Sequence, residues 1–495
     1  MPFSPIILWT DALIYLFAIV VLLSIRYVRR NEHLLASWRR VGHSASGMSA
    51  LTVLLFFLVT GLLDTVHFRP ALAHKTDSGN AIYSVEVLSL LDLLVTPIRT
   101  QVEKTYSAPL AAHLYAKETI ELPDGGQIRD FARLAYGGAH LQHPQTELVP
   151  DIIERSAKGS IYGFIVWCGL TACLILLLSH RHRQSFMQTL LGIWHRTNEI
   201  PWHAILITLL IMLLLIGNVT MLAAHYHVLG TDKVGQDILY QSLKSIRVAL
   251  VIGTLTSLVM LPFALLLGIM AGYFRGWIDD VIQYVYTTLN SIPSVLLIAA
   301  AVLMMQVYIE THPEIFETIA SRADLRLLFL CIILGITSWT GLCRLLRGET
   351  MKLRELEYIQ AAHAFGVSHW RIITRHILPN VMHIVLIATV MDFSGLVLAE
   401  AVLSYVGVGV DPSMISFGTM INAARLEMAR EPMVWWALLA AFGFMFTLVL
   451  SANLFADAVQ NALDPRTRTL KQRSLFLRRA RAAEVSAPAK TSRSS

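Results

Sequence analysis

The chain alternates between long apolar runs and short polar stretches, with one extended polar region at residues 68–157. Each run has about 20 residues, enough for a helix to cross the hydrocarbon core of a bilayer. The pattern predicts an all-α polytopic membrane protein. We expect nine spans, at residues 6–25, 48–66, 160–179, 202–224, 247–272, 281–308, 327–346, 381–405 and 434–457.

Basic clusters follow the first, third, seventh and ninth apolar runs, at 26–40, 181–196, 344–375 and 466–481. The turn after the fifth run has only Arg275 beside Asp279 and Asp280, but acidic residues count little in the orientation rule. Short loops rich in Lys and Arg stay in the cytoplasm. The N-terminus is therefore predicted outside the membrane and the C-terminus inside. The polar region at 68–157 becomes an extracytoplasmic domain.

Composition agrees with a membrane protein, since 55% of the residues are hydrophobic, 15% are charged and the mean hydropathy is +0.57. The net charge of +6 does not predict a nucleic-acid partner, because the basic residues lie in loops beside the predicted spans. The cysteines have no disulfide or metal-ligand spacing. They fall in or beside apolar runs, at Cys168, Cys173, Cys331 and Cys343.

The extracytoplasmic region has a mixed pattern that we interpret as mainly helical. Helical character extends over Val85–Val95 and Val102–Lys117, and a turn is predicted at 122–126. Three histidines, His113, His140 and His143, lack a tight ligand spacing, which favours surface histidines over a metal site. The role of this region does not follow from its residues.

The basic stretch at 344–380 predicts a helix-turn-helix on the cytoplasmic face. Good helix formers extend over Glu349–Phe365, and Gly366 is suited to end that helix in the left-handed conformation. Ser368 can cap a second short helix through Trp370, and Pro379 marks the start of the next span.

This stretch has the residues of a docking surface. Ala361 and Ala362 would let a partner backbone approach closely, while Ile359, Phe365 and Trp370 could serve as apolar anchors in a groove. An amphipathic loop lying against lipid headgroups explains the composition equally well.

The same residues resemble a known loop. Gln360-Ala361-Ala362, three residues, Gly366, nine residues and a final turn ending in Leu378-Pro379 resemble the "EAA" loop of ABC importer permeases. Gln360 replaces the Glu of that pattern, and His376 takes the place of its Ile.

A second resemblance lies before the fifth predicted span. Taken alone, residues 230–237 predict a turn followed by a capped helix. They resemble the G-T-D-x-x-G-R-D signature of the second permease type in dipeptide, oligopeptide and nickel importers, with Gln236 in place of Arg. The matching residues are Gly230, Thr231, Asp232, Gly235 and Asp237. The glycine-rich stretch at 404–421 also resembles the outer loop after the fifth core helix of that family.

The resemblance implies a six-helix type I ABC importer permease core at 202–468, with the EAA-like loop at 344–380. It leaves an N-terminal two-helix membrane segment at 1–67, the domain at 68–157, and a third transmembrane helix with a cytoplasmic linker at 158–201. A basic tail follows at 469–495.

The resemblance also implies an assembly in a bacterial inner membrane. We expect a heterodimer with a second permease subunit, two ABC ATPase subunits that bind the ATP, an extracytoplasmic solute-binding protein, and surrounding lipid. The chain has no G-x-x-x-x-G-K-[ST] loop, so we expect no ATPase site and no cofactor of its own. Because no metal-ligand spacing is visible, we also expect no metal. Peptides are the expected solute.

Polar residues within the spans are candidates for the translocation path. Asn290, Ser291, Pro293 and Asp392 are the candidates, although interhelical packing or a structural hydrogen bond explains them as well. A secondary transporter driven by protons through Asp392 and Glu400 is the competing class. A membrane enzyme or sensor is disfavoured, because the outer domain has no nucleophile-base set.

Overall fold

The computed structural model describes residues 3–30, 32–75, 81–121, 127–183, 185–194, 200–312 and 318–463. Within these ranges nine helices are long and apolar enough to cross a membrane, which confirms the predicted number of spans and, except for the sixth, their approximate positions. The turn predicted at 122–126 and the tail at 469–495 lie outside the described residues.

The chain before residue 237 forms eight helices and six strands among the described residues. The helices are α1 (Trp9–Arg30), α2 (Glu32–Gly42), α3 (Ala45–Asp64), α4 (Leu90–Leu94), α5 (Thr96–Thr100), α6 (Pro144–His182), α7 (Phe186–Trp194) and α8 (Trp202–Ala223); the strands are β1 (Phe3–Ile6), β2 (His67–Lys75), β3 (Ala81–Tyr83), β4 (Leu88–Ser89), β5 (His113–Glu121) and β6 (Gln127–Arg133).

The rest of the described chain is helical. Its helices are α9 (Ile238–Phe274), α10 (Trp277–Ser291), α11 (Ser294–Thr311), α12 (Ile319–Arg354), α13 (Glu357–Ala364), α14 (His369–Ile372), α15 (Leu378–Val406), α16 (Phe417–Glu427) and α17 (Trp436–Leu463). A π-helical turn, Ile373–Ile377, joins α14 to α15 without a break.

The helices α9 and α12 form the centre of the bundle. Two glycines of α9 lie directly against α12: a Cβ on Gly268 would sit 2.8 Å from the carbonyl oxygen of Cys343, and one on Gly272 would sit 2.6 Å from that of Arg347. Small residues allow this close backbone approach, which favours helix association where lipid offers no hydrophobic driving force. The largest buried apolar clusters surround this pair.

The helix α3 packs against α9 and α17 along one face, and its other face, with Leu55 and Val59, is exposed. A Cβ on Gly61 would sit 2.4 Å from Cδ1 of Leu250, and one on Gly47 would sit 2.4 Å from Cβ of Ala458. The helix α8, which the sequence assigned to the core, packs against α6 and α3. Its contact with α6 is close, because a Cβ on Gly159 would lie 2.5 Å from the carbonyl oxygen of Gly217.

The polar region contains five strands beside α4, α5 and the start of α6 among its described residues, so the prediction of a mainly helical domain is wrong. The strand β2 pairs antiparallel with β1, β3 and β4, and β5 pairs antiparallel with β6. Of the predicted helix over Val102–Lys117, residues 102–112 are irregular and the remainder belongs to β5. Pro109 interrupts helical hydrogen bonding there, and the distant partner strand decides the conformation.

The predicted span at 281–308 is two helices. The helix α10 ends at Ser291 and α11 begins at Ser294, with Ile292 and Pro293 in extended conformation between them. Proline disfavours the helical conformation of the residue before it, which accounts for the break.

Candidate functional site

The stretch at 344–380 is an elbow with a bend that the sequence did not predict. The helix α12 continues to Arg354, Leu356 is extended (φ −71°, ψ 138°), and α13 starts at Glu357. The single helix expected over Glu349–Phe365 is therefore wrong. Tertiary contacts override helix propensity here, because the bend lets Ile359 reach the core while Glu355 pairs with another loop.

The turn after α13 has the form predicted for it. Gly366 adopts φ +72°, its N–H donates to the carbonyl of His363 (3.0 Å), and the N–H of Val367 donates to the carbonyl of Ala362 (3.1 Å). These two bonds make a Schellman motif, which ends a helix with a residue in the left-handed region. A Cβ on Gly366 would meet nothing within 4 Å, so the surrounding chain leaves this position open.

The second helix of the predicted pair is the first turn of the next span. Ser368 occupies the N-cap position of α14, but its side chain makes no capping hydrogen bond, so that part of the prediction is wrong. From His369 the helix continues through the π-helical turn into α15, where Pro379 lies in the first turn as expected.

Exposure divides the three apolar residues that the sequence predicts as anchors. Phe365 is 86% exposed and Trp370 is 70% exposed, whereas Ile359 is only 2% exposed and packs into the core beneath α13. Ile359 was therefore wrongly predicted as an anchor for a partner. The other predicted residues of this surface divide in the same way: Gln360, Ala361, Gly366 and Pro379 are exposed, and Ala362 and Leu378 are half-buried.

The elbow is attached to the turn between α9 and α10. The guanidinium of Arg275 lies 2.6 Å from the Glu355 carboxylate, and the Tyr273 hydroxyl lies 2.8 Å from Nδ1 of His369. Gln360, at the Glu position of the loop pattern, donates its amide to the carbonyl of Glu355 (3.2 Å). The elbow therefore contacts α9 as well as the two helices that carry it.

The signature residues at 230–237, called the outer signature from here on, lie at the opposite end of α9 from the elbow. The two ends are about 55 Å apart for a helix of this length. The Thr231 hydroxyl accepts a hydrogen bond from the N–H of Ser107 (2.6 Å) and donates to the carbonyl of Thr105 (2.9 Å), and the Trp436 indole N–H donates to the Thr231 carbonyl (3.0 Å). The signature therefore holds the irregular segment before β5 onto the bundle.

Two glycines of the signature are required by this contact. A Cβ on Gly235 would lie 1.8 Å from the carbonyl oxygen of Glu103, and one on Gly230 would lie 2.6 Å from that of Ser107. Both glycines have φ +76°, in the region that glycine occupies at least cost. Asp232 stabilises the same turn, because its carboxylate accepts the N–H of Gln236 (2.8 Å).

A buried charged cluster joins the signature to the polar region. Asp237 caps α9 by accepting the N–H of Leu239 (2.7 Å), and its second oxygen lies 2.8 Å from Nδ1 of His227. Nε2 of His227 lies 3.4 Å from Glu103, which accepts backbone N–H bonds from residues 135–137 at 2.8–3.0 Å. The side chains of His227, Glu103 and Asp237 are almost fully buried.

The charges of this cluster support one another. Burial alone would lower the pKa of His227, but hydrogen bonds to Asp237 and Glu103 outweigh it and raise that pKa to about 9. Burial likewise opposes ionisation of Glu103, yet the bonds from His227 and the backbone lower its pKa to about 2. At neutral pH a protonated imidazole therefore links two carboxylates.

The candidate path residues do not form one site. Asn290, Ser291 and Pro293 lie exposed at the α10–α11 break, where Asn290 accepts a hydrogen bond from the Thr340 hydroxyl (3.0 Å). Asp392 is half-buried on α15, and no hydrogen-bond or ion-pair partner of it lies among the described residues.

Glu400 is hydrogen-bonded within the bundle. Its carboxylate accepts hydrogen bonds from the hydroxyls of Ser404 (2.7 Å) and Ser416 (2.9 Å), and the second serine caps α16. It therefore holds the glycine-rich stretch against α15. In the part of the chain that the structure describes, no group of three His, Cys, Asp or Glu residues is placed to hold a metal.

Sequence reasoning missed the residues that join these surfaces. Glu103, His227, Tyr273 and Arg275 belong to no motif, and no local pattern distinguishes them. Each acts through a partner far along the chain, so only the packed structure identifies it.

Comparison with known proteins locates the similarity in the C-terminal half of the chain. Residues 264–469 match the family described as "Binding-protein-dependent transport system inner membrane component". An oligopeptide transport system permease protein (OppC) of Mycobacterium tuberculosis is 33% identical over 246 residues, which cover 50% of this chain and 78% of that relative.

Two further relatives are also permease proteins of transport systems. A glutathione transport system permease protein (GsiD) of Pectobacterium atrosepticum is 32% identical over 49% of this chain and 74% of its own length. A dipeptide transport system permease protein (DppC) of Bacillus subtilis is 26% identical over 49% of this chain and 69% of its own length. About half of the chain therefore lies outside each of these alignments.

Proposed function

The chain belongs to the family of binding-protein-dependent transport system inner membrane components, and on that premise we propose that it carries peptides across the membrane as one permease of an ATP-driven importer. It is a multi-pass ABC permease component of the inner membrane and not itself an ATPase. The relatives named for oligopeptides, dipeptides and glutathione support a peptide as the solute.

One observation supports the coupling role, namely the elbow between the end of α12 and the start of α15. It presents two large exposed aromatic side chains beside the small residues Ala361 and Gly366, and it continues into two long helices of the bundle. A partner that grips the elbow can therefore move both helices. We assign that partner as an ABC ATPase subunit, whose closure on ATP would rock the bundle between outward- and inward-facing states.

The remaining partners follow from the same assignment. A second permease would complete the translocation path, a second ATPase would grip that permease, and an extracytoplasmic solute-binding protein would deliver the peptide at the end of α9 that carries the outer signature. In this arrangement the N-terminus lies outside and the C-terminus in the cytoplasm.

Substitution of Gly366 tests the coupling role. Gly366→Val places a β-branched residue at φ +72°, where a side chain costs about 1–2 kcal/mol of local conformational energy. No atom of the chain lies within 4 Å of the added Cβ, so the bundle should remain folded and inserted. We expect ATP-driven peptide uptake by membrane vesicles to be lost.

Gly348→Val is the matched control. Gly348 also has open space around its Cβ, but it lies within the helix α12 and has no positive φ. The control should retain most of the uptake. Wild-type uptake by Gly366→Val, measured in vesicles with equal amounts of inserted protein, would refute the coupling role.

A further inference from the structure

The ATPase-docking surface extends beyond the elbow. Resting on the proposed function, we infer that the turn between α9 and α10, residues 273–280, forms a second docking element for the same ATPase subunit, with Trp277 as its anchor. The turn and the elbow are adjacent, and both lie at the end of the bundle opposite the outer signature.

Contacts on both sides of the turn join it to the elbow. The Arg275–Glu355 ion pair (2.6 Å) ties it to the bend before α13, and the Tyr273–His369 hydrogen bond (2.8 Å) ties it to the start of α14. The ring centroids of Phe274 and His369 are 5.8 Å apart. The turn therefore presents one continuous surface with the elbow.

Trp277 is exposed in charged surroundings. Its side chain is 75% exposed at the first position of α10. Arg275 precedes it, Asp279 and Asp280 follow it, and Glu355 pairs with the same turn. A hydrocarbon environment would penalise these charges, so the indole lies outside the hydrocarbon core, at a surface that headgroups, water or a protein partner can cover.

The area that docking needs points to a second element. A stable protein interface buries about 800 Å² on each partner, and a large aromatic side chain supplies about 150–250 Å². Phe365 and Trp370 together therefore provide about half of that area. The helix α13 has eight residues, so it is only about 12 Å long. Trp277 and its neighbours add area directly beside the elbow.

The turn is also held in one conformation. Arg275 adopts φ +57° and Gly276 adopts φ +61°. A non-glycine residue in this region is costly unless its surroundings hold it, and the Arg275–Glu355 pair and the Asp279–Arg347 pair (2.6 Å) brace the turn from two sides. A rigid turn loses little conformational entropy on docking.

Site-specific photo-cross-linking in the assembled complex tests this inference. A photoreactive phenylalanine analogue replaces one aromatic residue at a time, Phe365, Trp277 or Tyr284. Tyr284 is the matched control: it is 74% exposed and lies seven residues beyond Trp277, on the same face of α10 and about 10 Å further along the helix. Adducts are identified by peptide mass spectrometry as lipid or as the co-purified subunit that carries a phosphate-binding loop.

We expect ATPase adducts at positions 365 and 277 and lipid adducts alone at position 284. Lipid adducts alone at 277, with the ATPase adduct retained at 365, would overturn the second docking element and leave the proposed function standing. An ATPase adduct at 284 would also overturn it, since docking would then not be specific to the turn. Loss of the ATPase adduct at 365 would contradict the proposed function itself.

A pair of substitutions gives an independent readout. Trp277→Ala should release the ATPase during gel filtration of the complex, whereas Tyr284→Ala should not. Equal retention of the ATPase by both variants would contradict the role of Trp277.

Discussion

His227→Gln should loosen the polar region from the bundle in a way that depends on pH. The substitution removes the cation between Asp237 and Glu103 and leaves two buried carboxylates facing each other. Breaking a buried ion pair costs about 3–5 kcal/mol. Asp237 keeps its capping bonds and Glu103 keeps its three backbone N–H bonds, so we expect a smaller loss of about 2 kcal/mol.

The pH dependence follows from the direction of the shifts. Because the folded pKa of His227 is raised from 6.5 to about 9, its stabilisation is fully present below pH 6.5 and is lost as the pH rises through 9. Glu103 acts in the opposite sense: its pKa is lowered from 4.5 to about 2, so its stabilisation is lost only as the pH falls through that range. Docking of the polar region should therefore weaken between pH 6.5 and 9.5.

Hydrogen exchange in detergent micelles measures this docking. The N–H groups of Ala135, Tyr136 and Gly137 donate to Glu103, so their protection reports the cluster directly. After correction for the intrinsic exchange rate at each pH, a loss of about 2 kcal/mol lowers protection by roughly 30-fold. Wild-type protection should fall from pH 6.5 to 9.5, and the variant should start low and stay flat.

His143→Gln is the control, because His143 is exposed and lies outside the cluster. It should reproduce the wild-type profile. If the wild-type profile is flat, or if His227→Gln falls with pH as steeply as the wild type, the cluster does not hold the polar region by charge.

Three further outcomes test other parts of the structure. Arg275→Glu and Glu355→Arg should each reduce ATP-driven uptake, and the double variant should recover it. Because the pair is partly exposed, each loss of stability should stay below about 1 kcal/mol. Failure of the double variant to recover uptake would contradict the contact. Gly159→Val should separate α6 from α8, since its Cβ meets the Gly217 carbonyl at 2.5 Å, and should lower the melting temperature in detergent; an unchanged melting temperature would contradict that packing. Asp392→Asn should retain ATP-driven uptake. If this variant loses uptake and wild-type uptake depends on the proton gradient, a secondary transporter is favoured instead.

The elbow shows how far a local pattern extends. The turn at Gly366 was predictable because a Schellman motif uses only hydrogen bonds within about six residues. The bend at Leu356 and the burial of Ile359 were not predictable. Both depend on Tyr273, Arg275 and the core beneath α13, which lie far away along the chain.

The polar region shows the opposite case. Its residues have helical character over Val102–Lys117, but the segment is held by Thr231 on one side and pairs with β6 on the other. Strand formation requires a partner that may be any distance away, so propensity within one segment does not decide it. The same reasoning explains why β5 was missed.

The sequence alone determined the number of spans, the positions of all but the sixth, the loop motif and the outer signature of this protein. A helix in lipid must satisfy its backbone hydrogen bonds within itself, so each apolar run carries nearly all the information for its own conformation. Tertiary structure alone decided that α3 packs against α9 and α17, that His227 joins two carboxylates, and that the α9–α10 turn adjoins the elbow. These features depend on contacts between side chains of distant segments, and no local sequence pattern predicts such contacts.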